Sequence, residues 1–311
     1  MEREILVDLF EIIDTSNQYL MKDLKTSYLS SLFMTSRNIL EDDCMQDVSI
    51  ETRETLLDLN KEIQKFDFTK EDIRKALVAV ILKGYKTDNI QNSEITPDTI
   101  SLLVGYLVNR LFKGKNKISI LDPVVGTANL LTNVCNNIDV NEFDLVGIDS
   151  NLDNIQLGRV IADMQDYSVD FILEDSITSN INGFDLVIGD IPLYLYDDEY
   201  FPHVLIDKMI DKVSNGGYLV MVIPNDFFEV EGKFKDSIVE KAFLQGIVKL
   251  PDNLFVDSKL GKSILIIRKK DVNIENVNEF LLVDLPSLSE QDKFSSSIRK
   301  IDNWFEKEGK L

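Results

Sequence analysis

Through the first ninety residues apolar positions recur at helical spacing. Leu56, Leu59, Ile63 and Phe66 fall on one face, as do Ile73, Leu77, Val80 and Ile81. Ile5, Leu9 and Ile12 or Ile13 make a similar stripe near the start. These stripes predict amphipathic helices. Thr69, with Asp72 three residues on, reads as the cap of the helix beginning there. The acidic run from Glu41 to Asp47 reads as a loop, and the polar segment Lys86 to Glu94 as a linker. Thr96-Pro97 then opens a new helix, with Thr as cap and Pro at the first helical position, its buried stripe being Ile100, Leu103, Leu107 and Leu111.

From Lys117 the pattern changes to short apolar runs separated by helical stretches. Ile118–Leu121, Asp144–Ile148, Val169–Leu173, Phe184–Gly189, Tyr218–Ile223, Gly246–Leu250 and Ser263–Arg268 read as seven strands. Helices are predicted near Ala128–Cys135, Leu152–Met164, Val204–Val213 and Phe234–Phe243, and a polar helix with Trp304 from about Leu288 to Lys310. Such alternation predicts an α/β fold: a mostly parallel sheet with helices on both faces. We therefore divide the chain into an all-helical N-terminal domain over 1–90 and an α/β domain over 91–311.

Composition narrows the function. The chain has 311 residues, 44% apolar and 28% charged, which excludes a disordered chain. The longest apolar stretch, about Tyr218 to Pro224, is too short to cross a bilayer. The start lacks the basic-then-apolar pattern of a secretory leader, so a cytoplasmic protein with no membrane partner is expected. Two distant cysteines, Cys44 and Cys135, and a single histidine predict no Cys/His metal site. Thirty-three basic against 54 acidic side chains leave a net charge of −21, which works against binding a phosphate backbone.

The candidate chemistry lies at strand ends. The first strand runs into Asp122-Pro123-Val124-Val125-Gly126-Thr127 and then a helix, and ligands of open parallel sheets bind beyond the carboxyl ends of strands. A dinucleotide fingerprint needs three glycines; here Gly126 stands alone, with Ala128 and Leu131 in the other places. Asp122 would repel a pyrophosphate and suits a ligand carrying positive charge. The second strand ends at Asp149-Ser150, where an acid hydrogen-bonds ribose hydroxyls. The third is followed by Glu174-Asp175-Ser176, whose carboxylate either accepts from an adenine amine or caps a helix N-terminus. The fourth ends Asp190-Ile191-Pro192-Leu193.

The ordered set Thr96-Pro97, Asp122-Pro-x-x-Gly-Thr, Asp149, Asp175 and Asp190-Ile-Pro192 resembles the adenine-specific DNA amino-methyltransferases that use S-adenosylmethionine. The likeness is strongest to the YtxK-like group of Firmicutes, which also resembles the modification subunits of type I restriction systems. Asn215-Gly216-Gly217, Ile223-Pro224-Asn225, Lys249-Leu250-Pro251-Asp252-Asn253-Leu254-Phe255 and Lys262-Ser263-Ile264 extend it, so that it covers roughly Ile95 to Lys270. The resemblance implies a Rossmann-like methyltransferase fold and S-adenosyl-L-methionine as cofactor. It further implies that Thr96 and Pro97 border the methionine end, that Asp122, Pro123, Gly126 and Thr127 hold the amino-acid and sulfonium portion, that Asp149 and Ser150 take the ribose, and that Asp175 and Ser176 meet the adenine. Asp190 and the Ile191 carbonyl would accept from the substrate amine, with Pro192 fixing the turn.

The family pattern is polar-Pro-Pro-aromatic, and Ile191 and Leu193 depart from it. Tyr194, Tyr196 and Tyr200 are either a substitute stacking face or ordinary surface residues. From Asp185 to Asp211 there are seven acids and, before Lys212, one lysine, Lys208. Lys61, Lys65, Lys70, Arg74 and Lys75 form either a modest basic face or a solvated one, and His203 reads as structural. The expected function is N-methylation of an exocyclic amine of nucleic acid. Two alternatives stay open: a catalytically degenerate cofactor-binding interaction protein, and a protein (glutamine-type) N-methyltransferase. The partner is DNA by resemblance, or a protein substrate by charge, and the sequence sets no oligomeric state.

Overall fold

The computed structural model describes residues 2–90, 95–232, 234–255 and 261–308, and its chain divides into two compact units. The first comprises Met1–Ile95, Gly126–Asn136 and Asn151–Val169; the second comprises Thr96–Val125, Asn137–Ser150 and Asp170–Leu311. The Ile5 side chain, residues 91–94 of the expected linker and residues 309–310 of the expected tail lie outside the described residues.

The first unit is helical. It holds α1 (Glu2–Leu24), α2 (Tyr28–Glu41), α3 (Ile50–Ile63), α4 (Lys70–Thr87), α6 (Asn129–Asn136) and α7 (Leu152–Met164). Two of the expected stripes supply the core: Leu9, Ile13, Leu77, Val80 and Ile81 are buried together with Leu157, Val160 and Ile161 of α7, whereas of the third stripe Leu56 is buried in a separate cluster, Leu59, Ile63 and Phe66 are half-buried, and Phe66 lies beyond the end of α3. The helix starts are satisfied locally, since Ser27 and Ser49 cap α2 and α3. Thr69 and Asp72 form a reciprocal capping box on α4.

At the centre of this unit lies the Arg74 guanidinium, fully buried. It donates to both carboxylate oxygens of Glu71 at 2.7 and 2.8 Å and to Asn129 Oδ1 at 2.5 Å. With its amide oxygen turned towards Arg74, Asn133 accepts as well, at 3.0 Å. Desolvation raises the Glu71 carboxyl, but the hydrogen bonds and charge of Arg74, with Asn136, outweigh it and hold the group below its usual value. Arg74 is therefore no part of a basic face. The neighbouring lysines are likewise engaged, Lys61 with Asp58, Lys65 with Glu62, Lys75 with Glu71, and Lys70 with the Asp166 carbonyl and the Tyr167 ring.

The second unit is built on a sheet. After α5 (Asp98–Leu111) come β1 (Lys117–Asp122), β2 (Glu142–Asp149), β3 (Val169–Leu173), β4 (Phe184–Asp190), β5 (Leu195–Tyr196), β6 (Glu199–Tyr200), α8 (Phe201–Lys212), β7 (Val213–Pro224), α9 (Phe234–Lys241), β8 (Ala242–Lys249), β9 (Lys262–Lys269), β10 (Leu281–Asp284) and α10 (Gln291–Glu308). Among the described residues eight strands join in the order β10-β8-β9-β7-β4-β1-β2-β3. β1 pairs parallel with β2 and β4, and β4 with β7, whereas β9 runs antiparallel to both β7 and β8. The chain steps from β1 outward to β2 and β3, then resumes on the other side of β1 with β4. That reversal puts a topological switch point between β1 and β4, where such sheets bind ligands. The core under the sheet gathers Leu121, Val187, Leu219 and Leu265 with Phe201, Leu205 and Met209 of α8.

Two expectations need correction. Among the described residues the sheet has eight strands, not seven: β10 is four residues at the sheet edge with alternating burial, too short for its period to register. The helix over 98–111 is not capped by Thr96; Pro97 occupies the cap position without a side-chain bond, and the Thr96 hydroxyl is used elsewhere. A two-stranded hairpin, β5–β6, adds to the predicted elements. Asp197 and Asp198 form its turn at φ 48° and 65°, the left-handed pair that a type I′ hairpin turn demands.

Candidate active site

The site is built from the carboxyl ends of β1, β2 and β4 in the sheet unit. Asp122 closes β1 opposite Gly147 of β2, and Asp190 closes β4 opposite Val222 of β7. Asp122 is only 1% exposed and accepts the backbone N–H of Val124 at 3.1 Å, shaping its own turn. Burial pushes its carboxyl up to about 8; the Val124 N–H opposes the shift, and the charges of Asp149 and Asp190 add to it. Two glycines make this arrangement possible. A Cβ on Gly189 would lie 3.0 Å from Val124 Cγ2 and 3.5 Å from Asp122 Oδ1, and one on Gly147 would meet Val125 Cγ2 at 2.8 Å. The turn is also tied to β2, with Val125 N–H donating to Ile148 O at 3.0 Å.

Asp190 is held at both oxygens. Thr96 Oγ1 donates to Oδ2 at 3.1 Å and Lys262 Nζ to Oδ1 at 2.5 Å. The carboxylate and the ammonium are both largely shielded, at 15% and 26% side-chain exposure. Next in the chain, the Ile191 side chain is fully buried and its N–H donates to Val222 O at 3.0 Å, so the backbone leaving β4 is pinned to β7. Pro192 and Leu193 then emerge exposed.

Asp149 is half-buried and Ser150 exposed. Asp175 accepts the Ile177 N–H at 2.8 Å and the Tyr196 hydroxyl at 2.6 Å, and Ser176 beside it is buried. The Tyr196 hydroxyl is pushed up to about 12 by that bond. Tyr194 stacks on Phe201 at 4.1 Å, and Tyr200 donates to Asp226 at 2.8 Å. His203 is buried, stacked on Phe234 at 3.8 Å with Nε2 on the Phe227 carbonyl at 2.7 Å.

Gly126 and Thr127 belong to the helical unit. Gly126 has φ +50°, the left-handed region glycine tolerates. Thr127 is fully buried, and its hydroxyl has no partner among the described residues.

Residues 82–309 match the model of the N-6 DNA Methylase family. The chain belongs to that family. Residues 7–85 match the YtxK N-terminal helical domain. This methylase-family chain is 27% identical over 329 residues to the uncharacterized protein YtxK of Bacillus subtilis (strain 168), covering 99% of the chain and all of the relative. A Listeria monocytogenes structure assigned as a class I S-adenosylmethionine-dependent methyltransferase superposes with a TM-score of 0.85 at 31% identity, over 97% of this chain and 99% of that one. A modification subunit assigned to a type I restriction enzyme of Vibrio vulnificus YJ016 shares the fold at a TM-score of 0.68 and 11% identity, over 96% and 90%. The methyltransferase fold of the family is thus the fold of this chain.

The donor set fits the cofactor that the fold implies. Asp122 is a buried carboxylate whose ionisation is opposed by burial and by two further acids, an arrangement that a bound sulfonium and ammonium would relieve. Among the described residues no group of His, Cys, Asp and Glu side chains is disposed to hold a metal, and no helix is long and apolar enough to cross a membrane. Lys262, Gly147 and Gly189, which shape these strand ends, carry no functional signal of their own in the sequence. The Lys262-Ser263-Ile264 stretch belongs to the family-like pattern, but nothing local to it points to Asp190.

Proposed function

We propose that the chain is an S-adenosylmethionine-dependent N-methyltransferase whose acceptor is an NH2 nitrogen. The observation that carries this reading is Asp190: an acid at the end of β4, beside the switch point, immobilised by Thr96 and Lys262 and followed by a backbone pinned to β7. A fixed carboxylate and the Ile191 carbonyl give two acceptors for the two N–H bonds of an amine, turning the nitrogen lone pair in one direction. The cofactor supplies an activated methyl carbon on a good leaving group. Asp122 with Pro123 would hold its amino-acid and sulfonium portion, Thr96-Pro97 its methionine end, Asp149-Ser150 its ribose, and Asp175-Ser176 its adenine. Family membership supports a nucleic-acid amine as acceptor, whereas the acidic surroundings of Asp190 favour a polypeptide.

Calorimetric titration of the chain with S-adenosylmethionine and with its demethylated product is expected to give saturable binding of both. Asp190→Asn is expected to leave that binding within about threefold while lowering labelled-methyl transfer about 100-fold. Absence of cofactor binding overturns the proposal.

A further inference from the structure

We infer that a second binding site lies at the carboxyl ends of β8 and β10, and that it takes the guanidinium of an arginine on a partner polypeptide. A cavity of about 340 Å3 opens where the chain leaves β8 through Pro251-Asp252-Asn253 and leaves β10 through Leu285-Pro286-Ser287, at the small end of ligand pockets. The two strands run parallel, with Lys249 in register beside Asp284. Because β9 is antiparallel to both β7 and β8, β8 ends on the same side of the sheet as β4. The cavity therefore opens on the edge that carries Asp190, three strand spacings or about 14 Å along it. Its walls are braced. Leu285 N–H donates to the Lys249 carbonyl at 3.0 Å, Leu254 N–H to the Pro251 carbonyl at 3.1 Å, and Asn253 Nδ2 to Ser287 Oγ at 2.9 Å.

Charge chooses the sign of the ligand. Lys249 Nζ is answered by Asp252 at 3.4 Å, whereas the exposed Asp284 carboxylate has no ion-pair or hydrogen-bond partner among the described residues. An anion finds the ammonium already paired, and a phosphate backbone meets two carboxylates. A cation finds Asp284 open, on a chain of net charge −21. Shape chooses the kind of cation. With its amide nitrogen spent on Ser287, Asn253 turns its Oδ1 to account as a second acceptor, and Pro251 and Leu285, both buried, form an apolar floor with half-buried Pro286. A guanidinium offers five N–H donors in a planar fork, and its weakly hydrated faces rest on such a floor, while an ammonium is compact and keeps its water. The neighbourhood assigns the guanidinium to a polypeptide. Leu282 lies two residues before Asp284, hence on the same face of β10, and is 73% exposed, so an apolar residue flanking the arginine has a surface to cover. Occupancy of the cavity requires neither the cofactor nor the transfer proposed above.

The test is fluorescence anisotropy of the full chain with a fluorescein-labelled peptide, Gly-Leu-Gly-Arg-Gly, and the same peptide with lysine or citrulline in place of arginine. The arginine peptide is expected to bind saturably, and citrulline, which keeps the shape but not the charge, to weaken binding about tenfold. Lysine should weaken it about threefold or more. Asp284→Asn is expected to cost about tenfold in affinity with an unchanged urea midpoint, whereas Asp198→Asn, the same loss of charge on the hairpin, should change affinity less than about twofold. N-acetylarginine amide should displace the peptide only at far higher concentration. The inference is overturned if no peptide binds, if lysine or citrulline binds as tightly as arginine, or if the two Asp variants weaken binding equally. A free arginine amide as tight as the peptide, or displacement of the peptide by a single-stranded oligonucleotide, overturns the polypeptide as partner. Cofactor titration, measured separately, is expected to be the same in Asp284→Asn as in the wild type.

Discussion

Asp122 makes cofactor affinity a function of pH. Its carboxyl is pushed up to about 8 by burial, against the Val124 N–H and with Asp149 and Asp190 adding to the shift. If the complex with a cationic cofactor needs the carboxylate, apparent affinity follows the ionised fraction, about 1% at pH 6, about 9% at pH 7 and about half at pH 8. Affinity should therefore rise about 50-fold from pH 6 to pH 8, equivalent to about 2.3 kcal/mol. Close to one proton should be released per cofactor bound at pH 7, which calorimetry in two buffers of different ionisation enthalpy measures directly. Asp122→Asn should abolish both the slope and the release. The folding sign is the opposite. A group with a raised folded-state value contributes stability that is full below its ordinary value near 4 and is lost as pH rises through about 8, so saturating cofactor should flatten that loss. A pH-independent affinity, or an unchanged slope in Asp122→Asn, would refute the reasoning.

Three more perturbations test the supporting structure. Arg74→Met strips the buried partner from Glu71, Asn129 and Asn133, and urea unfolding should show a loss of about 3–5 kcal/mol. In the wild type the Glu71 contribution, present above the ordinary carboxyl value, should fade as pH falls through its lowered one. Gly147→Ala forces a methyl to within 2.8 Å of Val125 Cγ2, with an expected cost of about 1–3 kcal/mol that a second change, Val125→Ala, should largely recover. Thr127→Val removes a buried hydroxyl that has no partner among the described residues; the urea midpoint should hold or rise slightly, because no hydrogen bond is lost.

Local pattern carried much of the architecture. Val169–Leu173 and Leu152–Met164 are strand and helix with the bounds read from sequence, because neighbouring residues set burial period directly. Elements without a long enough period escaped: the four residues of β10 and the two-residue strands of the hairpin. The strand-end acids were legible for a related reason. In a parallel sheet each strand must stop where its apolar run stops, so the polar residue that ends the run marks the ligand edge whatever the rest of the chain does.

The sequence by itself therefore determined the α/β alternation, the helical N-terminal stretch and the positions of Asp122, Asp149 and Asp190. Tertiary structure alone decided what surrounds those acids. Thr96 and Lys262 reach Asp190 from 94 and 72 residues away, Arg74 is sealed against Asn129 from 55 residues away, and α7 shares a core with α1 and α4. Side-chain periodicity reports which face of an element is buried, but not which distant residue covers it. A lysine at the start of a strand looks the same in sequence whether it points into water or, as Lys262 does, sets an ammonium against a shielded carboxylate.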